Sequence, residues 1–258
     1  MPKQASYDEV EWEWMLALHS GAGVKRKGNQ KMSAEIRVIY EDESVLVVYK
    51  PAGIATQTAR IGQKDMESML RNARAEKGEE PYIGIVHRLD QPVEGVMVFA
   101  KTKDAAAKLS KQVQSRAIGK HYYAVTTQIP ESTEGTLTDY LFFQKRENVS
   151  VVTGAEHKGA KKAELAYVVM AETSAHALLD IQLKTGRHHQ IRAQLSHMGC
   201  PISGDGKYGQ TESKRTAQLA LCSYRIAFDH PVNGKRMEFS IVPEGKSFEE
   251  FREVWRNS

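Results

Sequence analysis

Gly84-Ile85-Val86-His87-Arg88-Leu89-Asp90-Gln91-Pro92-Val93-Glu94-Gly95-Val96-Met97-Val98-Phe99-Ala100-Lys101 holds two apolar runs with a polar knot between them. Tyr82–Val86 reads as a strand, and Val96–Ala100 as a second one rich in β-branched and large apolar residues. The loop delivers His87, Arg88 and Asp90 to the end of a sheet, where a carboxylate can meet a ligand. Taken alone, Arg88 and Asp90 also fit a surface ion pair worth under ~1 kcal/mol.

The surrounding chain repeats this preference for strands. Ile36–Tyr40 and Val45–Tyr49 flank the acidic turn Glu41–Ser44 and predict a hairpin, which Lys50-Pro51-Ala52-Gly53 ends. Further strand patterns lie at His121–Thr127, Val149–Thr153, Ala163–Met170, Leu178–Leu183, Gln218–Phe228 and Met237–Val242. Helices are expected over Glu67–Lys77, Asp104–Arg116 and Arg187–Met198. Many strands, few helices and no regular alternation predict an α+β fold with a large, mixed, mostly antiparallel sheet flanked by helices and loops.

The 258 residues divide into two expected parts. Residues 1–33 read as an extension, a short acidic helix over Tyr7–Leu18 followed by the basic linker Gly21–Gln30. Residues 34–258 read as one catalytic domain. An apolar fraction of 41% suffices for a core, and 26% charged residues predict a soluble, cytoplasmic protein. No stretch approaches the ~20 apolar residues of a membrane helix. The two cysteines, Cys200 and Cys222, lack metal or disulfide spacing and read as buried thiols. Net charge is only +4. The basic run Lys101–Lys120, with Lys158, Lys161 and Lys162, fits either a solvated face or phosphate tracking.

Nucleotide loops, dinucleotide fingerprints, zinc-helix patterns and serine elbows are all missing. The pair His188-His189 cannot easily ligate one metal from a helix, where neighbours point about 100° apart. No metal and no cofactor are expected. Two further polar knots remain. Gly119-Lys120-His121-Tyr122-Tyr123-Ala124-Val125 puts two tyrosines on opposite strand faces. Thr185-Gly186-Arg187-His188-His189-Gln190-Ile191-Arg192 opens a helix anchored by Ile191 and Leu195. Arg192 then lies at the edge of the buried face, where a guanidinium needs a carboxylate.

In this order the knots resemble the RluA-type pseudouridine synthases, RNA-modifying isomerases. The resemblance rests on His87-Arg88-Leu89-Asp90 with its following apolar strand, Lys120-x-Tyr122-x-Ala124, Thr185–Arg192 with Pro201–Gly209, and Lys50-Pro51-Ala52-Gly53. It covers about residues 36–243. It implies the pseudouridine synthase catalytic fold, with Asp90 as the catalytic aspartate, Tyr122 as the active-site tyrosine and Arg192 as the arginine paired with the aspartate. Arg192 could also fill the gap left by a flipped base. His87, Arg88, Lys120, Arg187, His189 and Gln190 are the expected RNA contacts, and a monomer acting on ribosomal or transfer RNA the expected state. Val93-Glu94 departs from the family's Thr-Ser and places a negative charge near RNA. Ile54–Gln57 lacks the family's histidine. The rival readings are a non-catalytic RNA-binding or ribosome-assembly protein on the same fold and a nucleoside or glycoside hydrolase using Asp90. The second needs a carboxylate pair, for which only Glu94 is near.

Overall fold

The computed structural model describes residues 36–60, 62–209 and 218–256. The helix and linker expected in the N-terminal extension lie outside the described residues. Eleven strands form one sheet: β1 (Arg37–Glu41), β2 (Val45–Lys50), β3 (Gly84–Ile85), β4 (Glu94–Ala100), β5 (Gly119–Thr126), β6 (Glu134–Gln144), β7 (Val149–Thr153), β8 (Lys161–Glu172), β9 (Ala177–Leu183), β10 (Leu221–Asp229) and β11 (Arg236–Ser240). The main path runs β1-β2-β4-β10-β5-β9-β8-β6-β7, with β3 beside β4 and β11 beside β10. Every pairing is antiparallel except β4 with β10, which is parallel.

That parallel contact sits in the middle of the sheet and depends on Gly95. Its φ is +143°, and a Cβ there would lie 2.4 Å from the Ser223 carbonyl oxygen. Only a glycine lets β10 close onto β4 at this level. Above it the strand alternates cleanly. Met97 and Phe99 enter one apolar cluster with Tyr122, Ile191 and Leu195, while Val96 and Val98 enter a second with Leu109 and Phe228. The sheet is therefore covered on both faces at its centre, and β4 is buried throughout.

Helix α1 (Met66–Glu76) starts at a capping box between Asp65 and Ser68 and packs Met66 and Leu70 on the first cluster. Helix α2 (Lys103–Gln114) packs Ala105 and Leu109 on the second. Its cap is Thr102, whose hydroxyl accepts from the Ala105 N–H. Helix α3 (Gln190–His197) buries Ile191 and Leu195. A 3-10 turn (Lys246–Phe251) and the short α4 (Glu253–Arg256) close the chain. Among the described residues no helix is long and apolar enough to cross a membrane. Both cysteines are buried and unbridged.

Two expectations are corrected. Glu134–Gln144, read as no element, is one of the longest strands. Helix α3 begins at Gln190, not Arg187, because His189 adopts a left-handed backbone, φ 50°. Arg187, His188 and His189 thus form a turn before the helix, and the two histidine rings stack at 3.8 Å.

Candidate active site

The loop after β3 is held from behind by the segment after β2. Thr56 Oγ1 donates to the Leu89 carbonyl at 3.0 Å and accepts from the Leu89 N–H at 3.1 Å. Gly53 N–H donates to the Gln91 carbonyl at 2.8 Å, and the Gln91 amide returns a bond to Gly53. Lys50, fully buried, directs its ammonium at the carbonyls of Pro51, Ile54 and Gln91. Burial pulls its pKa down to about 7, against the opposing pull of Asp90 and Glu94. Three carbonyl acceptors match the three donors of the charged form. The segment Lys50–Thr56 therefore fixes both residues that flank Asp90.

Asp90 faces a cavity of about 750 Å³ lined also by Arg88, Lys120, Tyr122, His189 and Arg192. Arg192 Nη1 lies 3.4 Å from Asp90 Oδ2. Its other two nitrogens donate to a second carboxylate: Nε to Asp205 Oδ2 at 2.8 Å and Nη2 to Asp205 Oδ1 at 2.7 Å. The guanidinium also sits over the Tyr208 ring, 5.1 Å from its centroid. Asp205 Oδ1 further accepts the N–H groups of Lys207 and Tyr208. Burial alone would lower the pKa of Arg192, but its bonds and charge attraction to Asp205, with Asp90 behind, raise it. The cation is permanent.

Arg192 is buried, and its bonds to Asp205 and Asp90 direct it into the protein. Asp205 was missed in the sequence, although the demand of Arg192 for a carboxylate and the Gly204-Asp205 turn were both visible.

His189 supplies the second neighbour of Asp90, with Nε2 3.5 Å from Oδ2. The Tyr208 hydroxyl accepts from Ser150 N–H at 2.7 Å and meets His189 Nδ1 at 2.9 Å. Burial first, and then the Arg192 cation, hold the His189 pKa at about 2. A neutral ring whose Nδ1 accepts from Tyr208 carries its proton on Nε2, aimed at Asp90. His189 is therefore a buried neighbour of the carboxylate, not an exposed RNA contact.

Tyr122 lies on β5 opposite Ser223, with its ring in the first core cluster and at the cavity wall. Burial raises its pKa, so the phenol is neutral at physiological pH. Tyr123 points to the other sheet face and stacks on Tyr224 at 3.8 Å. His87 Nε2 accepts from Val98 N–H, and burial, followed by Lys120, holds its pKa at about 3. Its side chain thereby ties the loop to β4. Arg88 is exposed at the cavity, and Lys120 is half-buried in its wall. Arg187 donates through Nε to the Lys162 carbonyl.

Gln190 is committed inside the protein. Its oxygen accepts from Thr185 Oγ1 and Arg187 N–H, and its amide nitrogen donates to the Glu164 carbonyl and Gln194. All four hydrogen-bonding positions are filled, which leaves none for RNA. Glu94 is corrected too. It is buried, takes bonds from the Tyr49 hydroxyl at 2.5 Å and Gly245 N–H at 3.0 Å, and faces a separate pocket of about 640 Å³. Its charge is not presented beside Asp90.

A family model described as RNA pseudouridylate synthase matches residues 44–197. The chain is 33% identical over 254 residues to the ribosomal large subunit pseudouridine synthase D of Pseudomonas aeruginosa, covering 88% of this chain and 77% of that protein. It is 27% identical to the tRNA pseudouridine synthase C of Yersinia pestis, over 78% of this chain and 84% of that one. The solved human RNA pseudouridylate synthase domain containing 4 has the same fold, with TM-score 0.69, 24% identity and coverage of 84% and 93% of the two chains. Fold and matches together define an isomerase that acts on RNA. The chain belongs to the RNA pseudouridylate synthase family and converts uridine to pseudouridine.

Proposed function

We propose that this enzyme modifies uridine in ribosomal or transfer RNA, with Asp90 as the catalytic carboxylate, Arg192 as its fixed counter-charge and Tyr122 as the wall against which the uracil packs. The observation that carries this reading is the position of Asp90. Its carboxylate is 3.4 Å from a guanidinium that Asp205 already holds in place, at a cavity lined by Tyr122. The isomerisation breaks the N-glycosidic bond, turns the uracil and rejoins it through carbon 5. Asp90 can attack carbon 1′ of the sugar or remove a proton from carbon 2′, and either route needs the ionised form. The neutral phenol of Tyr122 suits stacking on the base. Arg88 and Lys120 supply positive charge at the cavity for the phosphate backbone. In this reading residues 34–258 form the catalytic domain of a monomeric cytoplasmic enzyme, and residues 1–33 are an extension to it.

Mapping pseudouridine in total RNA, with and without the protein and with Asp90→Asn in its place, tests the assignment. The expected result is one or a few uridines that lose the mark in both the deletion and the Asp90→Asn strain. A full pattern of marks with Asp90→Asn overturns the role given to Asp90.

A further inference from the structure

Phe143 is the one exposed Phe, Tyr or Trp among the described residues, at 42% exposure. A large ring left in water on a well-packed protein calls for a reason, and its surroundings supply one. On β6 the odd-numbered side chains face α3: Leu141 packs with Ala193, and Asp139 accepts from the Gln194 amide. Phe143 continues this face to the strand's end, where its ring centroid lies 4.3 Å from that of His188. His188 is half-buried, lines the cavity and stacks on His189, whose Nε2 points at Asp90. Three rings thus step outward from the carboxylate to solvent.

The same edge carries cations. Lys145 and Arg146 follow Phe143 in the exposed β6–β7 turn, where Glu147 is the one acid. Lys207 spans from the loop that carries Asp205 to the Asn148 carbonyl of that turn at 2.8 Å, which ties the turn to the loop behind Arg192. Aromatic rings backed by positive charge are the chemistry that holds unpaired nucleotides, since every base offers a π-face and every nucleotide a phosphate.

We propose that Phe143 and His188 form a stacking step for an unpaired base next to the target uridine, making Phe143 a binding residue for the RNA. This inference rests on RNA as the substrate, but not on the role of Asp90. Stacking on a side chain contributes free energy equivalent to roughly 5- to 150-fold in affinity per base.

The test uses the full-length protein and a single-stranded oligoribonucleotide with 2-aminopurine beside a uridine, followed by fluorescence quenching and anisotropy. The expected result is that Phe143→Leu, which keeps an apolar side chain, binds about tenfold more weakly and loses the quenching. Phe143→Trp restores both, and the slope of affinity against salt is the same in all three because no cation was removed. Equal quenching by wild type and Phe143→Leu overturns the proposal, as does an unquenched probe with wild type. Quenching reads binding alone, so its result stands whether or not Asp90→Asn is inactive.

Discussion

Asp205 holds Arg192 by two hydrogen bonds of 2.7 and 2.8 Å, while the bond from Arg192 to Asp90 is longer, at 3.4 Å. The Asp205 side chain is fully buried. Two carboxylates therefore share one guanidinium unequally: the buried one fixes its position, and the half-exposed one meets it through a single longer contact. The unequal sharing separates stability from chemistry and can be measured.

Asp205→Asn removes the charge that compensates a buried arginine and forces an amide against the guanidinium. Stability should fall by about 3–5 kcal/mol, the range for breaking a buried ion pair from one side. Asp90→Asn leaves Arg192 bound to Asp205 and should change stability by less than about 1 kcal/mol while activity is lost. Urea unfolding followed by tryptophan fluorescence, beside a pseudouridine assay, compares the two. A large stability loss in Asp90→Asn and none in Asp205→Asn would reverse the assignment.

Arg192→Lys keeps a positive charge but cannot bond Asp205 through two donors and still reach Asp90. A displacement of about 1 Å at a reacting centre costs on the order of 100-fold. The expected loss is in kcat, with KM for RNA nearly unchanged because the side chain is buried. A pure rise in KM would argue for a direct RNA contact instead.

Acid should weaken the fold through histidines that are neutral inside it. His87 and His189 have folded pKa values of about 3 and about 2, below the ordinary 6.5. The unfolded chain therefore binds more protons between those values and pH 6.5. Stability is full above pH 6.5 and falls progressively as pH drops below it. His87→Gln, whose side-chain oxygen can still accept from Val98 N–H, should flatten the decline by on the order of 1 kcal/mol between pH 7 and 5. Denaturant midpoints measured across that range check this, and an unchanged slope would refute it.

Gly95→Ala should be among the most damaging small substitutions. The added methyl meets the backbone oxygen of Ser223, which cannot turn aside as a side chain would. A loss of about 3 kcal/mol or more, or failure to yield soluble protein, is expected. Gly78→Ala serves as a control: its φ is also positive, but nothing lies within 4 Å. Comparison of their melting temperatures isolates the steric part.

Much of the fold could be read from the sequence because strand alternation is local. Val149–Thr153 has the same bounds in the pattern and in the structure, and the helices over Met66–Glu76 and Lys103–Gln114 lie within a residue or two of expectation at most ends. The strand Glu134–Gln144 was missed because its inward face includes Asp139, and that polar position is satisfied only by Gln194 from a distant helix. Polar burial of this kind leaves no periodic trace. The site shows the same division. Asp90, Tyr122 and Arg192 stand in dense polar knots and line one cavity. Their supports divide: Asp205 and Tyr208 stand within the Pro201–Gly209 motif but with no role legible there, while Ser150 and Ser223 look ordinary until the sheet brings them close. The left-handed turn at His189 was likewise hidden, since a helix pattern running through Arg187–Met198 gives no sign that its first residues leave the helix.

The parallel junction of β4 with β10 pairs Gly95 with Ser223, residues far apart in the chain. A ribosome adds residues from the N-terminus onward, so Asp90 and Tyr122 emerge long before Ser223 and the closing strand exist. Until that late segment arrives, the carboxylate loop lacks Arg192, then Asp205, and finally the strand that seals the sheet beside it. Long-range closure of this kind also makes for slow folding. The sheet therefore closes around the carboxylate loop only after residue 223 has been made and can pair with Gly95.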